Sequence, residues 1–314
     1  MLDSRLSPHL LDGVPVMVRE TADWFCLPQY RTQMLGLRLL RKMQACGDPM
    51  LVIGGSVTNR DLLAKLHWRK LSPARNYILP ATMRGLLANL LRVAWPPHEA
   101  LARLVPHTLP YRPRRRRPSP GVDGVRCVYL GPDRWFDLAS QRVSGLAAEL
   151  GQQHWAWLNA MPRGFAQPLG LLFLVRNDVL GVSLSQIEPA AAGLDARILH
   201  VQAAHRDDRL LARIFAEAAA ELIAQGADFI RCRVSAPAKI AAAEVSGFRF
   251  VQEVPCFWWS TPGMPVPAAA DLGYLRGDDA LPLPALRGRR LSRRHRGREE
   301  PFGRRTDELA RPAT

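Results

Sequence analysis

Two stretches of the chain, residues 14–93 and 123–260, run through strand and helix signals in the same order, and this repeat limits the fold more than any other feature. Alternating short apolar strands and amphipathic helices require a sheet with helices packed on it. In the first stretch Val14–Leu27 is rich in β-branched and aromatic residues. Leu35–Ala45 is apolar at 35, 39, 40 and 43, a helical period. Met50-Leu51-Val52-Ile53 is a short apolar strand closed by Gly54-Gly55-Ser56. Asn59–Leu66 reads as a short helix, with Ser56 or Thr58 as its cap. Asn76–Leu79 reads as a strand, and Met83–Val93 as a helix ended by Pro96-Pro97.

In the second stretch Asp137–Gln152 has a helical pattern. Leu171–Val175 and Val179–Ile187 flank Arg176-Asn177-Asp178, a hairpin signal. Ala196–Ala203 reads as a strand, Asp207–Gln225 as a long helix stopped by Gly226, and Phe229–Val234 as a strand. Pro237–Val245 is a short helix. Gly247-Phe248-Arg249-Phe250-Val251 opens a strand, and Cys256-Phe257-Trp258-Trp259 is a candidate last strand. The first copy has little chain before Val14, too little for the helix and hairpin that open the second.

Charge sharpens the boundaries. The net charge is +15, but residues 111–118 carry five Arg and no acid, and residues 275–314 carry eleven Arg against six Asp or Glu. Both segments are poor in apolar residues and rich in Pro or Gly, the composition of solvated chain. The five prolines between Pro106 and Pro120 favour an extended spacer. The expected layout is residues 1–104, a partial first module; 105–122, a linker; 123–262, a second module; and 263–314, a basic disordered tail. Such a tail binds nucleic acid weakly and without sequence preference through counterion release.

No apolar run approaches the roughly 18 residues of a membrane helix, and the N-terminus lacks the pattern of a secretory signal. The five cysteines are scattered, with no CxxC pair and no His at ligand spacing. The expectation is a cytoplasmic protein without a metal.

The chemistry concentrates at Trp24–Gly36, where an apolar strand ends at Pro28, an Arg31-led loop follows and Gly36 opens an amphipathic helix. The first N–H groups of a helix have no internal partner, so such a loop is a ready anion site. Pro28-Gln29-Tyr30-Arg31 and then Arg31-Thr32-Gln33-Met34-Leu35-Gly36 resemble the acyl-CoA pyrophosphate loop of the GNAT superfamily of N-acetyltransferases. Arg31 and Gly36 match that family's pattern, and Met34 stands at its first glycine. Asn59 falls where a family asparagine often contacts the cofactor arm, and His67-Trp68 where Gly-Phe is usual.

The resemblance implies an α/β (α+β) mixed-sheet fold of two GNAT-like modules, the first short of its opening elements. It implies an N-acyltransferase, of the N-acetyltransferase type, in which an amine attacks the thioester directly. The co-substrate would be acetyl-CoA or another acyl-CoA, held by Leu27, Arg31, Thr32, Gln33, Met34, Leu35, Gly36 and Asn59. The acceptor would be a small-molecule or protein amine. In the family a carboxylate on the strand before the loop often takes the amine proton, which makes Glu20 and Asp23 the candidate bases. They are three apart, so on a regular strand only one faces the cleft. The family's tyrosine acid is missing, since Leu63, Ala64, Lys65 and Leu66 fill its stretch. Tyr77 and His67 remain as candidates.

The matching loop of the second copy reads Arg206-Asp207-Asp208-Arg209-Leu210-Leu211. Both glycines are gone, and two carboxylates would repel a pyrophosphate. Asp207 or Asp208 serves more simply as a helix cap. Gly247-Phe248 matches the family, while Ala243 replaces its tyrosine. Cys232, Ser235, His200 and His205 lie at strand ends, and His154, Trp155 and Trp157 near a helix end. For each, packing outweighs chemistry as the expectation. The other readings are a GNAT-like binding or assembly module without activity, and a weak nucleic-acid binder acting through linker and tail.

Overall fold

A computed structural model describes residues 3–22, 33–55, 57–94, 101–106, 124–132, 145–148, 152–160, 166–176, 178–190, 193–204 and 207–274. The first half holds β1 (Asp3–Leu11), β2 (Val14–Ala22), α1 (Leu35–Gln44), β3 (Met50–Ile53), α2 (Val57–Lys65), β4 (Arg69–Pro80) and α3 (Met83–Ala94). The second half opens with β5 (Val125–Tyr129), β6 (Leu146–Ala148), α4 (Gln152–Ala160), β7 (Gln167–Val175) and β8 (Asp178–Pro189). It continues with β9 (Leu194–Ala203), α5 (Asp208–Ala224), β10 (Phe229–Val234), α6 (Pro237–Val245), β11 (Arg249–Trp259) and β12 (Ala270–Asp271). The Arg-rich segments at 107–123 and 275–314 lie outside the described residues.

All described strands share one mixed sheet, in the order β12-β6-β1-β2-β3-β11-β4-β10-β9-β8-β7-β5. Its centre is a reciprocal exchange. β11 lies between β3 and β4, and β4 lies between β11 and β10, antiparallel at each contact. Flanking this centre, β2 pairs parallel with β3, and β9 pairs parallel with β10. From β6 to β7 the pattern reads the same in either direction, as a duplicated module with an internal two-fold would; the outermost pairs differ, β12–β6 being parallel and β7–β5 antiparallel.

Packing follows the exchange. α1 and α2 cover a cluster of Leu40, Met50, Leu63 and Trp68, which Phe257 of β11 completes. α5 and α6 cover the larger cluster around Phe215, Leu222, Ile230 and Phe248, which Tyr77 and Leu79 of β4 complete. Each half thus closes the other's core. Leu51, Val18, Leu71 and Trp258 form a separate cluster with Leu146, Ala270 and Leu272. Met50 and Leu51 fall in different clusters because successive strand residues point to opposite faces.

Matching helix ends carry the duplication down to single hydrogen bonds. At the end of α2, Trp68 N–H bonds to Leu63 O at 3.1 Å and His67 N–H to Ala64 O at 3.2 Å. At the end of α6, Phe248 N–H bonds to Ala243 O at 3.1 Å and Gly247 N–H to Glu244 O at 3.1 Å. Both are left-handed caps with a buried aromatic after them. Gly247 has φ 92°, and His67, where the glycine is missing, still has φ 61°.

Three expectations change. Residues 146–148, expected inside a helix over Asp137–Gln152, form β6, a helix runs from Gln152 to Ala160, and residues 137–144 and 149–151 lie outside the described residues. Gly145 at φ 87° turns the chain, and β6 pairs with both β1 and β12. The strand expected at Asn76–Leu79 spans Arg69–Pro80. Its Pro73 falls at the irregularity between Val254 and Cys256 of β11, where the ladder skips. Residues 263–274, expected in a disordered tail, belong to the fold, because Ala270, Leu272 and Tyr274 are buried.

The short stretch before Val14 supplies one strand, β1. The next place in the sheet is filled by β6, from the other half of the chain.

Candidate active site

Two helices start at the C-terminal ends of parallel strands in each half, which is where open α/β sheets bind ligands. In the first half the parallel pairs are Arg19↔Met50, Glu20↔Leu51 and Thr21↔Val52. Beyond them β3 turns through Gly54 and Gly55, at φ 92° and 102°, into α2. Half-buried Asn59 stands in its first turns, and a Cβ on Gly55 would lie 3.6 Å from the Asn59 Cβ.

α1 begins at Met34, whose backbone is left-handed at φ 54°, ψ 26°. An L-residue with a long side chain rarely adopts this, at a cost of about 1–2 kcal/mol. Met34 thus holds a conformation that glycine adopts without steric cost. The Met34 side chain makes no cap to α1, the first turn has no acidic residue, and the last turn carries Arg41 and Lys42. Met34 O accepts from Arg38 N–H at 3.0 Å. Gln33 and Met34 are exposed; Leu35 and Gly36 are half-buried in the first turn. Asp23, Leu27, Arg31 and Thr32 lie outside the described residues.

Glu20 is 8% exposed, in the row next to the last β2–β3 pair. Its Oε1 lies 3.4 Å from Nε2 of fully buried His9, on β1. The His9 Nδ1 lies 3.2 Å from Ser7 O, which orients the ring. His9 escapes sequence reasoning because β1, with Ser7-Pro8-His9 between Leu6 and Leu10, has no apolar/polar alternation and gives no strand signal; once β1 is paired with β2, the shared face is evident.

Tyr77 does not join Glu20. Glu20 shares a row with Leu51, Trp258 and Arg69, and Tyr77 lies eight residues beyond Arg69 on β4, roughly 26 Å along the strand. Its hydroxyl donates to Glu244 Oε1 at 2.7 Å. Burial, then that carboxylate, pushes its pKa up to about 12. His67 is exposed at the other end of α2 from Asn59.

The second half has the same frame with different contents. β9 and β10 pair from Phe229↔Asp195 to Cys232↔Ile198 and then part, although β9 continues to Ala203. Asp207 caps α5, its Oδ1 accepting from Arg209 N–H at 2.8 Å and Leu210 N–H at 3.2 Å, and Asp208 follows in the first turn. The anion position is thus taken by a carboxylate.

A small cleft remains at the parting strands, with His200, Cys232, Lys239 and Asp271 in its wall. Burial, then the Lys239 charge, lowers the His200 pKa to about 4, so its imidazole is neutral at neutral pH. Burial raises the Cys232 thiol, which leaves it without thiolate character. The Ser235 hydroxyl is engaged with Ala270 O and Leu272 N–H. Trp155 is buried and donates to Gly131 O at 2.9 Å, and Trp157 packs on His154. His205 lies outside the described residues.

Among the described residues no group of His, Cys, Asp or Glu is arranged to hold a metal, and no helix is long and apolar enough to cross a membrane.

No family model and no curated protein matches the chain. Solved structures do. A tandem GNAT protein from the clavulanic acid biosynthesis pathway superposes with a TM-score of 0.50 at 11% identity, over 84% of each chain. Saccharomyces cerevisiae N-myristoyltransferase with bound myristoyl-CoA superposes with a TM-score of 0.53 at 12% identity, over 83% of this chain and 67% of that one. A GCN5-related N-acetyltransferase from Anabaena variabilis gives 0.46 at 13% identity, and this chain spans 58% of its length. At such identities the likeness speaks for fold alone. With the strand pairing shared by the two halves and the matching helix ends, the superpositions at TM-scores of 0.50 and 0.53 show that this chain has the GNAT fold, built as two modules in one sheet.

Proposed function

We propose that the chain is an acyl-CoA-dependent N-acyltransferase whose first half holds the co-substrate. The observation that carries this is the contrast between the two helix starts. α1 begins with a glycine-like turn at Met34 and no carboxylate, while α5 begins with Asp207 already bonded to its first amides. The first amides of a helix have no partner within it, and with the positive end of the helix dipole they suit a pyrophosphate. Arg31, Thr32, Gln33 and Gly36 would line that loop, and Asn59 would meet the cofactor arm.

In the reaction the amine nitrogen bonds to the thioester carbonyl carbon, the C–S bond breaks, and CoA leaves as its thiolate. Glu20 takes the amine proton, and His9 holds its carboxylate in place. Asp23 is the alternative base. A thiol of ordinary acidity leaves without strong help, so an acid at the position of Tyr77 is not required. The backbone near Leu27 would polarise the carbonyl. The acyl chain is a separate question: one structural neighbour holds myristoyl-CoA, so acetyl and long-chain thioesters both belong in the assay.

The test is thiol release from acyl-CoA across a panel of primary amines. Glu20→Gln should lower kcat by about 10²- to 10⁴-fold, the usual worth of a general base, with little change in acyl-CoA affinity. Equal turnover in wild type and Glu20→Gln removes Glu20 from the reaction. A second reading, a GNAT-fold module without activity, is favoured by the engagement of Tyr77 with Glu244. It predicts acyl-CoA binding or none, and no turnover with any amine.

A further inference from the structure

We infer that residues 270–274 close the wedge of the second half with the chain's own backbone, leaving one acyl-CoA site per chain, in the first half. The closure stands on geometry alone; its consequence for acyl-CoA rests on the function proposed above. Where β9 and β10 part, their backbone groups lose each other as partners and need replacements. Gly273 sits in that gap. A Cβ placed on it would come within 2.7 Å of Leu199 O on β9 and 3.6 Å of Arg233 O on β10. A side chain would strike β9, so glycine is the residue that fits here.

Three contacts hold the segment on either side of Gly273. The Ser235 hydroxyl, just past β10, donates to Ala270 O and accepts from Leu272 N–H at 2.7 Å. Lys239 Nζ, in the first turn of α6, lies 2.7 Å from Asp271 Oδ2. The Tyr274 ring lies under the Arg233 guanidinium at 4.6 Å, with Arg197 at 5.8 Å. Leu272 is fully buried and Tyr274 is 8% exposed. An extended thioester arm between β9 and β10 would need the space that Gly273 fills, and a pyrophosphate would meet Asp207. Both halves of a co-substrate are therefore refused at the same wedge, by unrelated residues.

The experiment uses the full chain and two readouts. Peptide-resolved alkylation by iodoacetamide follows Cys232 in the cleft wall, with exposed Cys46 as the fast reference and buried Cys256 as the control for unfolding. Cys232 should react at least tenfold more slowly than Cys46. It should speed up at least tenfold in Ser235→Ala/Lys239→Ala, and in Gly273→Val, while Cys256 stays protected. Cys232 reacting at the rate of Cys46 in the wild type, or unchanged in both variants, overturns the closure. Native mass spectrometry with acetyl-CoA and myristoyl-CoA should show one equivalent, lost in Gly36→Glu and weakened in Arg31→Ala. Two equivalents, or one that survives both loop variants, overturns the single-site inference. No binding by the wild type counts against the proposed function instead, and the Cys232 rates still decide whether the wedge is closed.

Discussion

Met34 and His67 stand where the family pattern places glycine, and both hold a left-handed backbone, at φ 54° and 61°. The turn geometry has outlived the residue that made it easy. Left-handed φ costs an L-residue about 1–2 kcal/mol, while glycine adds about 0.5–1 kcal/mol of unfolded-state entropy. Met34→Gly and His67→Gly should therefore each stabilise the chain by about 0.5–1 kcal/mol, read from urea midpoints at constant m. Met34→Gly should also tighten acyl-CoA, because it clears a side chain from the loop; His67→Gly should leave affinity alone.

His200 sets a pH dependence. Its pKa in the fold, about 4, lies below the ordinary 6.5, so it is neutral where the unfolded chain takes up a proton. Stability from this group is complete above pH 6.5 and is lost as pH falls from 6.5 towards 4. The loss should reach about 2 kcal/mol by pH 4.5, since His200 is half-buried in the cleft wall. His200→Gln should flatten that part of the stability curve, measured by denaturation at pH 7 and pH 4.5.

Among the elements, β3, β10 and α6 are legible in the sequence to the residue. Short apolar runs between Gly, Pro and Ser punctuation leave one solution for each. β1 is not legible, because its inward Ser7 and His9 are polar and are buried only by their partners. β6 and β12, at three and two residues, are too short for any period. Of the site, Glu20 and the α1 loop could be read from residue type and order. His9, and the closure by residues 270–274, could not, since both depend on contacts between segments far apart in the chain.

The pairing of β11 is the least local feature. Fully buried Trp258 stands between Leu51 of the first half and Arg69 of β4. Trp258→Ala should cost about 3–5 kcal/mol and should lower one shared unfolding transition, read by far-UV and near-UV signals that move together. A loss confined to one of two transitions would contradict the exchange.

At the scale of the molecule, the two halves have one frame and different fates. The first starts α1 at Met34 with no cap from that side chain and has the buried Glu20 carboxylate on β2; the second has an acid cap and a filled wedge. The same sheet makes them inseparable, because Phe257 completes the first core and Tyr77 the second. Residues 1–122 and 123–314, expressed apart, should each lack a cooperative transition and should regain one on mixing. A cooperative transition in residues 1–122 alone would show that β11 is dispensable there.

The central claim is that the α1 loop holds an acyl-CoA pyrophosphate, and calorimetric titration of the full chain with acetyl-CoA and with a long-chain acyl-CoA tests it most directly. The account predicts heat of binding for at least one thioester, abolished in Gly36→Glu and weakened in Arg31→Ala, with the thermal midpoint of both variants within a few degrees of the wild type. No heat from the wild type with either thioester at millimolar concentration, or binding untouched by both substitutions, would contradict it.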